Sequence, residues 1–446
     1  MMMEADNDEY DRRLSEVSNI IDEENSSDMV GLIRQEDPCL LLSPLPSLST
    51  PIFPRDLTYT LLFLLHIFLL LLLPPSYTLK NTTCWFTLIT FSFVFAIFTL
   101  FGFLKSTKWS FWITLVVVSY TFRICILFFI LGFNTHLHTL LSLLFCAQSV
   151  YDILWIIKQK DHFAFGNTLL AVISTLFTEN KSLHGMHACI MICHYIWITY
   201  IAKCLLNAIL LQHYFWIVVY LFHWYWFHGV CKGFLAFLFS GIVSLWYHGR
   251  IQSSLRPLSP TKSKKSGNTP SRQIYFISRI VFTLSRNALS TSLGTLVKAS
   301  LQLPILSSFY PMAHVSSYNK PWTVATVDVK TLLQETGVWT ILRSDPIAPW
   351  MKIIRIGSMS LGTLIGASCL SVSDNTTTFG STLVIAGVVY SVLEMVTVVI
   401  TSSITTLWVC FAENPKRLSQ IHPIIYHRLV RISELQSFED IDVENR

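Results

Sequence analysis

Charged side chains inside long apolar stretches are the residues of this sequence most able to do chemistry. Four of them stand out: Arg123, Asp152, Lys232 and Glu394. A charge within a membrane-spanning segment is costly, and by default it marks a substrate path, a proton relay or a counter-ion. Lys232 precedes Trp246 by about 21 Å along a helix, which is too deep for its ammonium group to reach the membrane surface easily.

Glu394 is the only acid of its apolar stretch, so it is suited to attract a cation or to accept a proton. A role as a hydrogen-bonded packing residue fits Glu394 equally well. Arg123 and Asp152 would lie about 13 Å apart in a helical hairpin that turns near residue 133, so we expect them not to pair.

Histidine and cysteine gather at the start of another apolar stretch, as His184, His187, Cys189, Cys193 and His194. Such a cluster raises the question of a metal or haem site, but scattered histidines and cysteines in membrane helices more often pack. We therefore predict no metal and no cofactor. Nothing resembles a catalytic triad, a P-loop or a Gly-rich nucleotide turn, so neither an enzyme nor a nucleic-acid-binding protein is expected.

The elements that position these residues follow from composition. Of 446 residues, 52% are hydrophobic and only 13% are charged, with a mean hydropathy of +0.51. A soluble chain carries about 25% charged residues, so a soluble multidomain protein is excluded. The long apolar runs equally exclude a disordered or fibrous protein. We predict an all-α polytopic membrane protein.

A spanning helix needs about 20 apolar residues. Two segments, 288–306 and 352–370, meet this requirement weakly, and 162–178 is short and contains Gly and Asn. The strong candidates are 57–75, 84–104, 110–132, 135–157, 183–205, 213–246 and 380–409. The prediction is therefore about 9–10 transmembrane helices, with 162–178 as an interfacial or re-entrant helix.

Charge asymmetry sets the expected orientation. Residues 1–37 hold twelve acids against three bases, whereas residues 248–286 hold eight bases and no acid. Short basic loops stay in the cytoplasm, so the loop 248–275 and both chain ends are expected there. We divide the chain into a disordered acidic and Pro-rich tail (1–54), a transmembrane domain (55–411) and a cytoplasmic C-terminal tail (412–446).

Short motifs agree with this orientation. The sequons at Asn81 and Asn375 fall on the outer side of the membrane, opposite the cytoplasm, where glycosylation takes place. Glu36 precedes Leu40 and Leu41 in the pattern of an acidic dileucine sorting signal that cytoplasmic adaptors could bind. We expect an integral protein of the plasma membrane, of endomembranes or of both, surrounded by membrane lipids.

Three segments carry a family resemblance. The run 225–247 contains an aromatic–Trp pair, Val-x-Lys, a small–Gly pair and a final Trp-Tyr. The segments 292–301 (SLGTLVKASL) and 405–415 (TTLWVCFAENP) add two more motifs, and 158–165 adds a weaker one. Together they resemble the choline transporter-like family. The resemblance implies ten spans, both ends in the cytoplasm, and transport of choline or related amino alcohols such as ethanolamine by alternating access.

The sequence also departs from the family pattern. Lys298 and Ala299 replace an apolar residue and a Gly, and Asn414 replaces an acid. An apolar stretch of the family is missing near 300–320, so we expect 288–318 to form a re-entrant or shortened hairpin. This departure keeps open an alternative, a transport-incompetent membrane scaffold or trafficking protein.

Aromatic residues supply the candidate substrate site that the resemblance implies. Choline is a quaternary ammonium without N–H donors, and aromatic faces attract such cations by up to about 2 kcal/mol per desolvated contact. Trp and Tyr also collect at membrane interfaces, which is the simpler explanation of Trp246 and Tyr247. The candidate substrate-binding residues are Trp224, Tyr225, Trp226, Trp246, Tyr247, Lys232 and Glu394.

Overall fold

The described part of the protein is a bundle of helices. The computed structural model describes residues 56–71, 136–158, 163–178, 181–248, 269–306, 309–343, 347, 349–357, 359, 375–421, 423 and 426–427, and these ranges contain no β-strand. The helices are α1 (Leu57–Leu71), α2 (His136–Lys158), α3 (Phe163–Thr178), α4 (Lys181–Leu210), α5 (Tyr214–Tyr247), α6 (Thr269–Ser290), α7 (Leu293–Leu306), α8 (Tyr310–Tyr318), α9 (Trp322–Glu335), α10 (Val338–Arg343), α11 (Asn375–Glu413) and α12 (Pro415–Ile421). Residues 349–357 form a further helical segment.

Three helices are long and apolar enough to cross a membrane within the described ranges: Leu183–Leu210, Tyr214–Tyr247 and Thr382–Glu413. They confirm the prediction of an all-helical, membrane-embedded protein. The predicted spans 84–104 and 110–132, the sorting residues Glu36, Leu40 and Leu41, the sequon residue Asn81, and Arg123 lie outside the described residues. Asn375 is the first residue of α11.

Helices α5 and α11 form the centre of the bundle. Residues 233–247 of α5 and 391–400 of α11 are buried on every side. A helix that is apolar all round must be enclosed by other helices, and α5 packs against α4, α6, α7, α8 and α11. The hydroxyl of Thr406 donates a hydrogen bond to that of Ser240 over 2.8 Å, which joins the two central helices directly.

The connection between α4 and α5 is a tight turn over residues 211–213. Gln212 has a φ of +54°, and the N–H of His213 donates to the carbonyl of Ala208 over 2.9 Å. The C-terminal carbonyls of α4 are thereby satisfied within the turn. A connection this short makes α4 and α5 antiparallel neighbours.

Helices α7 and α8 form the hairpin that was predicted near 288–318. Gly229 of α5 faces Ser300, and Gly233 faces both Leu296 of α7 and Met312 of α8. Because 229 pairs with 300 and 233 with 296, α7 runs antiparallel to α5.

Helix α8 returns in the opposite direction, since His314 and Tyr318 contact Glu413 at the end of α11. At about 21 and 13 Å, neither helix of the hairpin is long enough to cross a hydrocarbon core of about 30 Å. The weak span predicted over 288–306 is interrupted by a turn at Thr291 and Ser292.

Lys298 is balanced by an acid far away in the sequence. Its ammonium group lies 3.4 Å from a carboxylate oxygen of Asp56, and the Thr295 hydroxyl donates to the other oxygen over 3.1 Å. Lys298 also stands 5.5 Å from the centre of the Tyr59 ring. The substitution that departs from the family pattern therefore fixes the start of α1 against α7.

Close packing at Gly229 leads to a stability prediction. A Cβ on Gly229 would stand 2.9 Å from the Cβ of Ser300, whereas a Cβ on Gly185 would meet nothing within 4 Å. Gly229→Ala should lower the thermal midpoint of the purified protein, because overpacking costs about 1–3 kcal/mol. Gly185→Ala is the matched control and should raise the midpoint slightly, since Ala is favoured over Gly in helices by about 1 kcal/mol.

A second substitution separates packing from other causes. Ser300→Gly removes the atom that the new methyl group would meet, so the double variant Gly229→Ala/Ser300→Gly should recover much of the lost midpoint. Equal midpoints for Gly229→Ala and Gly185→Ala would contradict the packing described here.

Candidate functional site

The carboxylate of Glu394 is the centre of a buried polar cluster. Its Oε1 accepts hydrogen bonds from Lys232 Nζ over 2.6 Å and from Arg355 Nη1 over 3.1 Å, and its Oε2 lies 2.9 Å from His228 Nε2. The donors come from α5 and from the helical segment 349–357, while the carboxylate belongs to α11. The cluster therefore joins three separate parts of the chain in the interior of the bundle.

Two histidines extend the cluster as a hydrogen-bonded chain. A carboxylate only accepts, so His228 Nε2 carries a hydrogen and donates to Glu394. His228 Nδ1 lies 3.0 Å from His194 Nε2, and the tautomers of the two rings decide which nitrogen donates. The buried Nδ1 of His194 has no hydrogen-bond partner within the described residues.

Helical periodicity explains why these side chains meet. Trp224, His228 and Lys232 are spaced four residues apart, which places them on one face of α5. Ser391 and Glu394 share a face of α11 for the same reason. The Trp224 Nε1–H donates to the hydroxyl of Ser391 over 2.9 Å, so the two faces are in register.

A glycine allows the two helices to come this close at the level of Trp224. A Cβ on Gly387 would stand 3.2 Å from the Trp224 ring, so the indole lies directly on the α11 backbone. Small residues permit such contacts between membrane helices. The ring of Tyr390, four residues before Glu394, stands 5.9 Å from the Arg355 guanidinium. Aromatic surface thus borders the charged cluster.

The hairpin of α7 and α8 reaches this cluster at its tip. Phe309, immediately before α8, places its ring centre 5.2 Å from Lys232 Nζ. Tyr225 donates from its hydroxyl to the Ser300 carbonyl of α7 over 3.4 Å. The tip of a helical hairpin too short to span therefore ends beside the charges in the interior.

The predicted site residues occupy four different places. Lys232 and Glu394 are in direct contact, and Trp224 lies on the same face of α5 as Lys232, where it bonds to Ser391 of α11. Tyr225 faces α7, and Trp226 lies in a separate aromatic group with Phe63, at a centroid distance of 5.4 Å.

Trp226 is 6% exposed and its Nε1 has no hydrogen-bond partner, which favours packing over a place in a substrate cavity. Its other ring neighbours are His66 at 5.1 Å and Phe222 at 5.5 Å.

Trp246 and Tyr247 lie at the far end of α5, about 21 Å from Lys232. The Tyr247 hydroxyl donates to the Asn414 carbonyl over 2.8 Å, and Arg417 Nε donates to the Tyr247 carbonyl over 3.2 Å. These reciprocal bonds tie the ends of α5 and α11 together. Their role in the structure is to cap two helix ends.

A second acidic residue closes the same end of the bundle. Glu413 Oε1 accepts a hydrogen bond from His314 Nε2 over 2.9 Å, and Oε2 accepts one from the Tyr318 hydroxyl over 3.0 Å. His248 Nε2 stands 3.7 Å from the same Oε2. Glu413 thus anchors α8, and with it the foot of the hairpin, to the ends of α5 and α11.

The remaining predicted groups have other surroundings. Asp152 is buried and accepts a hydrogen bond from Gln148 over 2.8 Å. His184 packs on Phe177, and His187 on Phe239. Across the described ranges, no three His, Cys, Asp or Glu residues are placed to hold a metal ion.

Sequence reasoning named His194 only as part of a His/Cys cluster, and it did not select His228, Arg355 or Tyr390 as site residues. One signal for His228 was available, because it lies midway between Trp224 and Lys232 at a spacing of four residues. Arg355 was hidden at the edge of a weakly predicted span.

Comparison with known proteins provides no further identification: no protein-family model and no curated protein matches this sequence. The resemblance to the choline transporter-like family is therefore carried by the motifs alone.

The cluster predicts unequal effects of removing its members. Glu394→Gln leaves Lys232 and Arg355 without an anion, and removing one partner of a buried ion pair costs about 3–5 kcal/mol. Lys232→Gln should lower the thermal midpoint less, because Arg355 and His228 still satisfy the carboxylate. Thermal unfolding of the purified variants measures the difference.

Glu335→Gln, at an exposed position of α9, controls for the loss of a carboxylate as such and should leave the midpoint nearly unchanged. A Lys232→Gln midpoint below that of Glu394→Gln would contradict the central place of the carboxylate.

Proposed function

We propose that this protein is a membrane transporter of choline or a related amino alcohol such as ethanolamine, and a divergent member of the choline transporter-like family. The observation that carries the proposal is the buried Glu394, which is held by charged groups from different segments and bordered by aromatic rings. Ionisable groups in membrane interiors are retained at substrate and ion pathways. The family motifs on α5 and α11 supply the substrate class.

An ammonium substrate would bind at Glu394 by exchange with the protein's own cations. The carboxylate already pairs with Lys232 and Arg355, so a third cation has to replace one of them. Trp224, which contacts α11 at Ser391 and Gly387, and Tyr390, which borders Arg355, are the aromatic side chains proposed to attract a trimethylammonium group by cation–π interaction. Displacement of Lys232 would in turn disturb its contact with Phe309 at the hairpin tip.

This coupling gives a physical route to alternating access. Discontinuous helices that end near the bilayer midplane are typical of transporter binding sites. In this proposal, the α7–α8 hairpin responds to the occupancy of Glu394 through Phe309, while Glu413 holds its foot. The hairpin is a gate of about 26 residues, Leu293 to Tyr318, between the site and one side of the membrane.

The proposed topology has about 9–10 spans with both ends in the cytoplasm. The ends of α5, α8 and α11 meet at Glu413, which supports placing the basic loop and the C-terminal tail on one side. Asn81 and Asn375 would then be glycan acceptors on the opposite side, and Glu36, Leu40 and Leu41 would be accessible to cytoplasmic sorting adaptors. Plasma membrane and endomembranes both fit this arrangement.

A membrane scaffold or trafficking protein is the second candidate. The observation that favours it is the shortness of α7 and α8, since an incomplete pair of spans could leave the fold without a moving part. The two candidates differ in one measurable property, which is net substrate movement.

Radiolabelled choline and ethanolamine uptake tests the proposal in cells whose surface expression of the protein is measured in parallel. We expect uptake above that of mock-transfected cells, and at least ~tenfold less with Glu394→Gln because the counter-charge for the ammonium is lost. Trp224→Phe should reduce uptake more than Trp216→Phe, the matched control on the same helix, which lies away from Glu394. Surface expression without any uptake of either compound would favour the scaffold.

A further inference from the structure

The cluster around Glu394 holds more positive than negative charge. Lys232 and Arg355 are both cations, and they share the single carboxylate of Glu394. His228 and His194 add no negative charge, because an imidazole ring is either neutral or positive. The cluster therefore has a net charge of at least about +1 in the interior of a membrane protein, where an uncompensated charge is costly.

No second carboxylate neutralises this excess within the part of the chain that the structure describes. Among the described residues, Glu394 is the only acid that contacts Lys232 or Arg355. The apolar stretches outside the described ranges hold none, because residues 57–151 and 360–373 contain neither Asp nor Glu.

Other ion pairs of the described structure are balanced. Lys298 pairs one-to-one with Asp56, and Lys320 pairs one-to-one with Asp328. The positive excess is thus a property of the Glu394 cluster and not of the ion pairs in general.

The cluster also contains N–H donors that have no hydrogen-bond acceptor among the described residues. The Nε of Arg355 is buried without a hydrogen-bond acceptor, and within the described ranges the guanidinium makes one hydrogen bond, from Nη1. A guanidinium offers five N–H donors in a planar fork suited to carboxylates and other anions. The side chains of Lys232 and Arg355 keep 18% and 16% of their surface open, so an approaching group has access to them.

We infer that the Lys232–Arg355 pair is a binding site for a small anionic group, which pairs with the cation that Glu394 alone leaves without a full counter-charge. Two sources share this chemistry: free chloride, or the carboxylate of a zwitterionic substrate whose quaternary ammonium contacts the aromatic faces of Trp224 and Tyr390. The second source rests on the proposed transport function, whereas the first does not.

The first experiment tests the site without any substrate. The purified full-length protein is unfolded thermally during a titration of sodium chloride against sodium gluconate at constant ionic strength. Chloride should raise the midpoint in a saturable way, and Arg355→Gln should abolish the rise. Lys298→Gln, which removes a cation from a balanced pair, should keep it.

The direction in which one further variant changes the chloride affinity tests the site most directly. Glu394→Gln increases the excess charge by one, so it should bind chloride at least ~tenfold more tightly than the wild type. If the cluster only packs, or binds only cations, the Glu394→Gln variant should show no gain in chloride affinity. Lys232→Gln, which leaves a neutral pair, should bind chloride more weakly and provides the same test if Glu394→Gln does not fold.

The second experiment distinguishes the two sources. Choline and glycine betaine carry the same trimethylammonium group, but only betaine has a carboxylate. Stabilisation by betaine in gluconate buffer, lost in Arg355→Gln, assigns the site to a zwitterionic substrate, whereas stabilisation by chloride alone assigns it to a free anion. If neither chloride nor betaine stabilises the wild type or Glu394→Gln, the anion site is wrong, whatever the outcome of the choline uptake assay.

Discussion

The structure depends on one carboxylate placed where three donors converge. Lys232, Arg355 and His228 project into the interior of an apolar bundle, and without Glu394 the two cations would be buried with no counter-charge. The cost of such burial is several kcal/mol per ion, more than any neighbouring apolar contact provides. The carboxylate therefore fixes the register of α5, α11 and the segment 349–357, and His194 extends this constraint to α4.

Glycine positions on α5 complete the arrangement, because they decide how near other helices can approach. Gly229 and Gly233 admit α7 and α8 to van der Waals contact, and this depth of packing brings Phe309 to Lys232. At the other end, Glu413 holds His314 and Tyr318 of the same hairpin. The hairpin is thus attached to the bundle by one charged contact at its tip and another at its foot.

The sequence could predict those site residues whose charge lies within an apolar stretch, because burying a charge there costs free energy. Lys232 and Glu394 stand out because charge within an apolar stretch needs a reason, and the structure places them in contact. The aromatic residues carry no such conflict. Residues 222–227 are all aromatic or His and therefore point in every direction around α5, so their periodicity could not separate Trp224, which faces α11, from Trp226, which packs on α1. The pairing of Lys298 with Asp56 was equally hidden, since it joins residues 242 positions apart.

Charge balance constrains how such a site can work. A carboxylate with two bound cations does not attract a third by simple Coulomb attraction, because the cluster as a whole is positive. An incoming ammonium group gains only if it releases Lys232 or Arg355, and the released cation then needs another partner. An anion beside Lys232 and Arg355 would supply that partner, so that the exchange would not raise the positive excess above that of the present cluster. Since Lys232 also contacts Phe309 at the hairpin tip, the same exchange would alter this contact, and in the proposed transporter it would couple substrate binding to movement of the hairpin.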